Sequence, residues 1–581
     1  AELAAVAAAL EGTARAELSD QDISDSEITI FARIHVRYEG TDTPIAVPFG
    51  EKAAVTDSFE AAHKAQFGFT YEGKPLIAEA VEVEAVGGGA RLDEPERQAE
   101  ARHFAAAQTV PVFSGGRWHD AGVAHRRDLR PGHRVSGPAL IIEDHQTIVV
   151  EPGWAAEITA RDHVVMTRTQ ALEREHAIGT DADPVMLEVF NNLFMSIAEQ
   201  MGVTLQNTAY SVNIKERLDF SCAVFDAGGK LVANAPHMPV HLGSMDRSVE
   251  TVRMHNPDIL PGDVYALNAP YNGGTHLPDI TVVTPVFDDG GPNSEKPEIL
   301  FWVASRGHHA DIGGTAPGSM TPRATTVDEE GVLIDNFKLV DGADGTFREE
   351  ALVRLLTDHP WPCRNPAQNV ADLKAQIAAN EKGVAELKKI IGHFGLNVVQ
   401  AYMKHVRDNA AESVRRLIES LSDSAFTYET DQGAVIKVRI SVDRKARAAT
   451  VDFTGTSPAR DNNFNAPAPV TRAAVLYAFR VMVEADIPMN AGCLEPIEII
   501  VPEGSMLAPQ YPRAVVAGNV ETSQHVTNAL FGALGAIAAA QGTMNNLTFG
   551  NDTYQYYETI CSGSPAGRFN DGTGFDGTDA V

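Results

Sequence analysis

The chain has 581 residues, 44% of them hydrophobic and 22% charged, as in ordinary globular proteins, and this length predicts about three or four domains. Its net charge of −31 argues against binding to nucleic acid, because such a protein needs a basic stripe that neutralises phosphates. The sequence has no apolar run of about 18 residues that would predict a membrane helix, and its four cysteines are too scattered for a zinc finger or a disulfide scaffold, so we expect a cytoplasmic protein.

The first 168 residues predict a β-rich domain. Residues 1–18 are rich in Ala and Glu and favour a helix. Apolar and polar residues then alternate over Ile28–Tyr38 and again over Ile77–Val86, the period expected of strands. Short buried strands are expected within residues 139–150, and one helix near residues 59–67. We interpret this part of the chain, residues 1–168, as one domain.

A charged stretch without periodicity, residues 169–182, predicts a linker. Asp183 and Pro184 then open a helix, since Asp caps a helix and Pro is tolerated at its first position. The remaining sequence, residues 183–581, mixes short strands with long helices. Helices are expected from Pro366 through Leu421 with breaks, at residues 470–484 and at residues 520–541, and strands at residues 433–454. The fold class predicted for the whole chain is therefore α+β, with a β-rich start and a large mixed α/β region.

The end of the chain is glycine-rich. Residues 572–577 formally fit the pattern GxGxxG, but they follow no clear strand and open no helix, so we do not interpret them as a dinucleotide site. We expect this region to be incomplete at its C-terminus.

Metal-competent side chains are densest between residues 219 and 311. His276 and Asp279 lie three apart in a loop rich in Gly and Pro, and His308 and His309 follow another strand. Two imidazoles and one carboxylate suit Zn, Mn or Fe and leave positions open for water and substrate. Such a metal lowers the pKa of bound water and polarises a carbonyl, which amide hydrolysis requires. The alternative is that these histidines bind loop backbones.

Three further positions could contribute to a site. His237 and His241 flank Pro239, which argues against a helical metal pair and favours an extended segment with both rings on one side. They could contact a ligand or be structural. Asp219 precedes an apolar strand and could be a general base, a fourth ligand or a turn residue. Cys493 has no base beside it in the sequence, so a buried thiol is favoured over a nucleophile.

Several separate segments resemble the hydantoinase B/oxoprolinase family. They are residues 208–221, 237–245, 268–279, 305–314, 452–456, 490–494 and 518–524, in the order found in the family. Residues 129–139 resemble the C-terminal part of the partner half, hydantoinase A. The likeness extends from about residue 183 to the end for hydantoinase B, and covers residues 1–168 for hydantoinase A. Both halves on one chain resemble the fused arrangement of 5-oxoprolinases.

The resemblance implies a two-stage mechanism. In this family an ATPase half phosphorylates the lactam oxygen, and the B half completes ring opening with a metal and water, giving glutamate from 5-oxoproline in glutathione metabolism. The expected metal ligands are His276, Asp279 and His308. Asp219 is expected to act as the catalytic base. ATP and Mg would bind in an ATPase core upstream of Ala1, which would be the partner of this region in the same protein, and homo-oligomers are expected.

We therefore predict the hydrolytic half of an ATP-dependent cyclic amide hydrolase of the 5-oxoprolinase type. His241 or His309 would orient the substrate lactam or imide, or the oxyanion. The enzymatic alternatives are a hydantoinase or an ATP-dependent acetone- or acetophenone-type carboxylase, which would require bicarbonate. The non-enzymatic alternative is a scaffold domain.

Overall fold

The computed structural model describes residues 2–39, 41, 44–67, 70, 73–87, 94–114, 116–170, 179–235, 237–288, 297–318, 320–484, 487–551 and 555–560. The glycine-rich residues 572–577 and most of the predicted linker, residues 171–178, lie outside this part of the chain.

Helices and strands alternate irregularly along the chain. The helices are α1 (Glu2–Ser19), α2 (Lys52–Phe67), α3 (Pro184–Thr208), α4 (Val212–Lys215), α5 (Pro239–Leu242), α6 (Met245–His255), α7 (Glu349–Thr357), α8 (Pro366–Phe394), α9 (Leu396–Ser420), α10 (Ala468–Val481) and α11 (Thr522–Leu534). The strands are β1 (Thr29–Tyr38), β2 (Ile45–Pro48), β3 (Leu76–Val86), β4 (Arg102–His103), β5 (Gln108–Ser114), β6 (Arg117–His125), β7 (His133–Ser136), β8 (Ala139–Ile142), β9 (Thr147–Val150), β10 (Trp154–Ile158), β11 (Val164–Arg168), β12 (Phe220–Asp226), β13 (Leu231–Asn234), β14 (Val264–Leu267), β15 (Asp279–Phe287), β16 (Ile299–His308), β17 (Phe337–Asp341), β18 (Thr346–Phe347), β19 (Ser424–Glu429), β20 (Val435–Asp443), β21 (Ala448–Asp452), β22 (Ile497–Ile500), β23 (Asn545–Gly550) and β24 (Gln555–Ile560). The predicted α+β class is confirmed. None of the described helices is long and apolar enough to cross a membrane.

The chain divides into two compact units. One comprises residues 8–31 and 84–178, and the other comprises residues 1–7, 32–83 and 179–581. The smaller unit contains two four-stranded sheets, β11-β10-β7-β4 and β5-β6-β8-β9. Its core is built from small and branched side chains such as Leu129, Val135 and Ile141, so the β-rich character expected from alternating residues is present here.

A seven-stranded sheet dominates the larger unit. Its strand order is β13-β12-β16-β15-β14-β17-β18, and the pairings along it are antiparallel. Val249 and Val252 of α6 belong to the core on one face, and Leu352 of α7 and Leu373 of α8 belong to the core on the other. Because helices cover both faces, the central strands are mostly apolar on both faces, and β15 is buried along its whole length.

A second sheet, β19-β20-β21-β22, forms another core with α10 and α11. The helix predicted at residues 520–541 is wrong at its end, since α11 stops at Leu534. Gly535 follows in the left-handed conformation (φ 63°), which a glycine adopts without strain and which ends the helix. The helix opening at Asp183 is confirmed, because its Oδ1 accepts a hydrogen bond from Met186 N at 2.9 Å.

The polar face of α8 lies against the large sheet. Four buried polar side chains recur at helical spacing, Asn369, Asp372, Gln376 and Asn380. Gln376 Nε2 donates to the carbonyls of Ile280 (2.9 Å) and Ser305 (3.1 Å), and Asn380 Nδ2 donates to the carbonyl of Val282 at 3.0 Å. The helix therefore recognises the backbone of β15 and β16 by hydrogen bonds as well as by apolar packing.

Replacing Gln376 by Leu should destabilise the larger unit without changing its volume greatly. The substitution removes hydrogen bonds to two buried carbonyls and to a ring nitrogen of His309, and each bond lost at a buried group costs about 1–3 kcal/mol. We expect a loss of about 3 kcal/mol in unfolding free energy, measured by urea denaturation. Lys389→Ala, on the exposed side of α8, is the control and should change stability by less than about 0.5 kcal/mol. A Gln376→Leu change as small as the control would show that the polar stripe does not hold the helix.

Candidate metal centre

The register of two strands creates the centre. Asp279, the first residue of β15, lies directly opposite His308, the last residue of β16. The next strand in the sheet, β12, begins at Phe220, and the backbone N–H of His308 donates to the carbonyl of Asp219 at 3.0 Å. The ends of three neighbouring strands thus bring Asp219, Asp279 and His308 together at one end of the sheet.

Asp279 is surrounded by three imidazoles. Its Oδ2 lies 2.9 Å from His276 Nε2 and 3.2 Å from His241 Nε2, and its Oδ1 lies 3.0 Å from His308 Nδ1. The Thr275 hydroxyl also donates to Oδ2 at 3.0 Å. All four members of this cluster (His241, His276, Asp279 and His308) are buried. Five of the six predicted site residues therefore meet, since Asp219 adjoins the same group.

Asp219 lies on the more open side of the cluster. Its carboxylate oxygens are 3.9 Å from His241 Nε2 and 3.8 Å from His308 Nδ1, and its side chain is 15% exposed, whereas that of Asp279 is fully buried. Leu218, directly before it, has a positive φ of 56°, a conformation that costs energy in a residue with a β-carbon. This kink in the backbone directly precedes the Asp219 side chain.

Charge coupling shifts the pKa values in the cluster. Burial raises the pKa of Asp279, but the charges of His276 and His241 outweigh this effect and hold the pKa well below its ordinary value. Burial lowers the pKa of His308, while the carboxylates of Asp219 and Asp279 raise it, and the net pKa is above its ordinary value. The pocket therefore stabilises a carboxylate and attracts positive charge.

Residues 516–519, far from the cluster in sequence, contact His276 and Asp279. The carbonyl of Val516 lies 3.2 Å from His276 Nδ1, and Asn519 Nδ2 lies 3.1 Å from His276 Nε2 and 3.2 Å from Asp279 Oδ2. Neither residue is among the site residues predicted from the sequence. The signal was the resemblance of residues 518–524 to the family, which marks Asn519 but not the function of its side chain.

His309 is not brought to the cluster. It lies on the other side of the sheet, where its Nε2 is 3.1 Å from Gln376 Oε1 and its Nδ1 is 3.1 Å from Asn369 Nδ2. Both nitrogens are thereby engaged by α8, and burial lowers the pKa of His309. Its predicted catalytic role remains a prediction that these contacts do not favour.

The expectation that His237 and His241 share an extended segment is wrong. Pro239 is the first residue of the short helix α5, a position where its missing N–H and fixed φ are tolerated, so His241 lies on a helical turn. His237 precedes the helix and accepts a hydrogen bond from the Cys222 backbone N–H at 3.1 Å. Burial and then the charge of His241 lower the pKa of His237 to about 4, so we assign it a structural role.

The placement of His308 also differs from expectation, since it ends strand β16 and does not lie in a loop. Cys493 is a buried thiol, and burial raises its pKa, which argues against a nucleophile.

The donor set fits a divalent metal. One ligand atom from each of His276, Asp279 and His308 lies within 4.8 Å of the others, so the three could share one ion whose ligands lie about 2.1 Å from it. The Val516 carbonyl accepts only from a protonated Nδ1, which directs the Nε2 lone pair of a neutral His276 at Asp279. The Nε2 lone pair and the carboxylate oxygen, 2.9 Å apart, are then two electron-pair donors that one cation could share. In addition, Asn519 Oδ1 is buried with no hydrogen-bond partner.

The chain is similar to known proteins over most of its length. The sequence pattern described as hydantoinase B/oxoprolinase matches residues 183–580, and that of the hydantoinase/oxoprolinase C-terminal domain matches residues 1–166. The chain is 42% identical to 5-oxoprolinase 1 of Arabidopsis thaliana, over 96% of this chain and 46% of that protein. It is 38% identical to 5-oxoprolinase of Saccharomyces cerevisiae, over 95% of this chain and 45% of that protein. The chain thus spans about half the length of these curated relatives.

A solved structure is also similar. The ATP-dependent caprolactamase of Pseudomonas jessenii matches with a TM-score of 0.55 and 25% identity, covering 65% of this chain and 66% of that one.

His276→Ala should remove the metal, because the variant loses the imidazole whose Nε2 faces Asp279. After dialysis we expect bound metal per chain, measured by elemental analysis, to fall by roughly tenfold or more. His309→Ala should keep its metal while losing thermal stability, and His255→Ala on the exposed end of α6 should keep both. Equal metal content in the His276 and His309 variants would contradict the assignment.

Metal affinity should rise with pH. A metal must displace the proton of His308, whose pKa is raised, so protonation competes with binding until the pH exceeds that pKa. Below that pKa, the apparent Kd for Co²⁺ should increase about tenfold for each unit by which the pH falls, if one proton is displaced. Asp219→Asn removes a carboxylate that raises this pKa, so the midpoint should move to lower pH. A pH-independent Kd in a Co²⁺ titration would contradict the involvement of His308.

Proposed function

Because the chain belongs to the hydantoinase B/oxoprolinase family, we propose that it is the hydrolytic part of an ATP-dependent cyclic amide hydrolase acting on 5-oxoproline. The observation that carries the proposal is the buried Asp279 carboxylate, whose oxygens lie within 3.2 Å of nitrogens from three imidazoles. The names of the relatives at 38–42% identity supply the substrate.

His276, Asp279 and His308 would hold a divalent metal, of which Zn, Mn and Fe fit the nitrogen and oxygen donors. When bound, such a metal supplies a Lewis acid that polarises a carbonyl and acidifies water. The residues of this chain provide the rest of the site. Asp279 holds three imidazoles in place, and the Val516 carbonyl sets the orientation of the His276 ring.

Asp219 would take up the proton of the attacking water. It adjoins the cluster, and its side chain is the most exposed of the five that meet there. His241 would keep Asp219 and Asp279 apart and oriented, because its Nε2 lies between them and its Nδ1 is 3.3 Å from the Ser221 hydroxyl.

In this proposal the free energy for ring opening comes from ATP, which an ATPase part of the longer protein would use. A lactam is stabilised by resonance, so its oxygen would first take the terminal phosphoryl group of ATP. Water then bonds to the ring carbon, the carbon–nitrogen bond breaks as the nitrogen takes up a proton, and a second water releases phosphate from the acyl phosphate that remains. From 5-oxoproline, ATP and two water molecules the products are glutamate, ADP and phosphate.

Two other activities share the site chemistry. A hydantoinase would open an imide ring with the same groups. A carboxylase would need bicarbonate, so omission of bicarbonate separates the two classes. A scaffold would have no need for three imidazoles directed at one buried carboxylate, an arrangement that costs desolvation energy without a cation.

The test is turnover by the full-length protein, with ATP and 5-oxoproline and without bicarbonate. Glutamate and ADP should form in equal amounts. Asp219→Asn should lower kcat about 10²–10⁴-fold while the chain keeps its metal, because a general base contributes about that factor. Asp258→Asn, on an exposed loop, is the matched control and should keep full activity.

Three outcomes would contradict the proposal. Strict dependence on bicarbonate would favour a carboxylase. Ring opening of an imide but not of 5-oxoproline would favour a hydantoinase. Absence of metal from the active protein would exclude the metal centre.

A further inference from the structure

Glu330 is a buried carboxylate that binds backbone, some distance from the metal ligands in sequence. It is fully buried, and its two oxygens accept hydrogen bonds from Val515 N at 2.9 and 3.0 Å and from Val516 N at 2.8 Å. Burial raises the pKa of Glu330 to about 8, although the two N–H donors favour the charged form. Burying a carboxylate costs free energy, so the buried position of Glu330 indicates that it has a function.

The backbone that Glu330 holds is the one that contacts the metal centre. The carbonyl of Val516 is 3.2 Å from His276 Nδ1, and the same short segment ends at Asn519, whose amide contacts His276 and Asp279. Glu330 therefore fixes the two peptide planes that precede the carbonyl bound to His276.

The segment has no room to move away on its other side. A β-carbon added to Gly518 would lie 2.0 Å from the carbonyl oxygen of Asn465, which shows how closely the two backbones approach. Asn465 Nδ2 also donates to the carbonyl of Ala514 at 3.0 Å. The Val516 carbonyl is thus held between Glu330 on one side and the backbone at residue 465 on the other.

Glu330 is itself fixed by the turn before it. The Thr326 and Glu329 side chains form a capping box around the turn Val327–Glu329, and Glu330 N donates to the Val327 carbonyl at 2.9 Å. The backbone of Glu330 also contacts Gly314, where an added β-carbon would lie 2.6 Å from the Glu330 carbonyl oxygen. The carboxylate is therefore presented from a rigid element, as a positioning group requires.

We propose that Glu330 is a positioning residue of the metal centre, which holds the Val516 carbonyl so that His276 carries its proton on Nδ1 and offers Nε2 to the metal. The inference rests on the metal site of the proposed function. Partners that orient a metal-binding imidazole through its second nitrogen commonly change metal affinity by about 10–100-fold when removed.

The test uses Co²⁺ as the probe on the complete chain, with chelator competition and the visible absorption of the bound ion. Glu330→Gln keeps the shape but offers one acceptor oxygen in place of two, and it should raise the Kd for Co²⁺ about 10–100-fold and change the spectrum. Glu330→Asp keeps a carboxyl group on a shorter side chain and should give a smaller change.

Two controls separate positioning from general stability. Glu349→Gln changes an exposed carboxylate at the start of α7 that pairs with Lys374 and should leave the Kd within about twofold. Leu387→Ala opens a cavity beside α8, in another part of the fold, and should lower thermal stability with an unchanged Kd. A Kd that changes in Leu387→Ala as much as in Glu330→Gln would overturn the positioning role.

A measurement on the unmutated chain covers the case in which the Glu330 variants fail to fold. Nitrogen-15 NMR of labelled histidine reports which ring nitrogen of metal-free His276 carries the proton. A proton on Nδ1 supports the proposal, and a neutral ring protonated on Nε2 overturns it. If the unmutated chain and His276→Ala bind Co²⁺ equally, the proposed function fails as well. If only His276→Ala loses Co²⁺ while Glu330→Gln does not, the positioning role alone fails.

Discussion

The centre depends on one buried carboxylate. Asp279 is fully removed from water yet keeps its charge, because imidazoles meet both of its oxygens and the Thr275 hydroxyl adds a hydrogen bond. An isolated charge in such a place would be neutralised or would unfold the chain. The surrounding fold therefore meets one requirement, which is to keep positive or metal-binding groups around this carboxylate.

The antiparallel sheet satisfies that requirement by register. Asp279 and His308 are cross-strand neighbours, so a shift of one residue in the pairing of β15 and β16 would turn one of them to the other face. The polar stripe of α8 binds the carbonyls of the same two strands, which fixes the register from the opposite face. Function and stability thus share the same hydrogen bonds, and neither face of the sheet can change without the other.

The sequence predicted the parts of the site that are local. His276 and Asp279 are three residues apart in a loop that Gly and Pro keep out of a helix, and resemblance added His308. Adjacent residues on a strand point to opposite faces, so His308 and His309 could not both face one cluster, and only the structure shows which face is which. Pro239 led to the wrong prediction of an extended segment, because proline interrupts the interior of a helix but is tolerated at its first position.

What the sequence could not show is contact over distance. Val516 acts through a backbone carbonyl, which leaves no trace in residue type, and Glu330 reaches it across more than 180 positions. The polar residues of α8 have helical spacing, but that spacing alone does not say whether such a face meets water or a sheet. The most direct measurement is anomalous diffraction from crystals of the metal-loaded protein. We expect a peak within bonding distance of His276 Nε2, Asp279 and His308 Nδ1; a peak elsewhere, or binding through His276 Nδ1, would contradict the proposed metal centre.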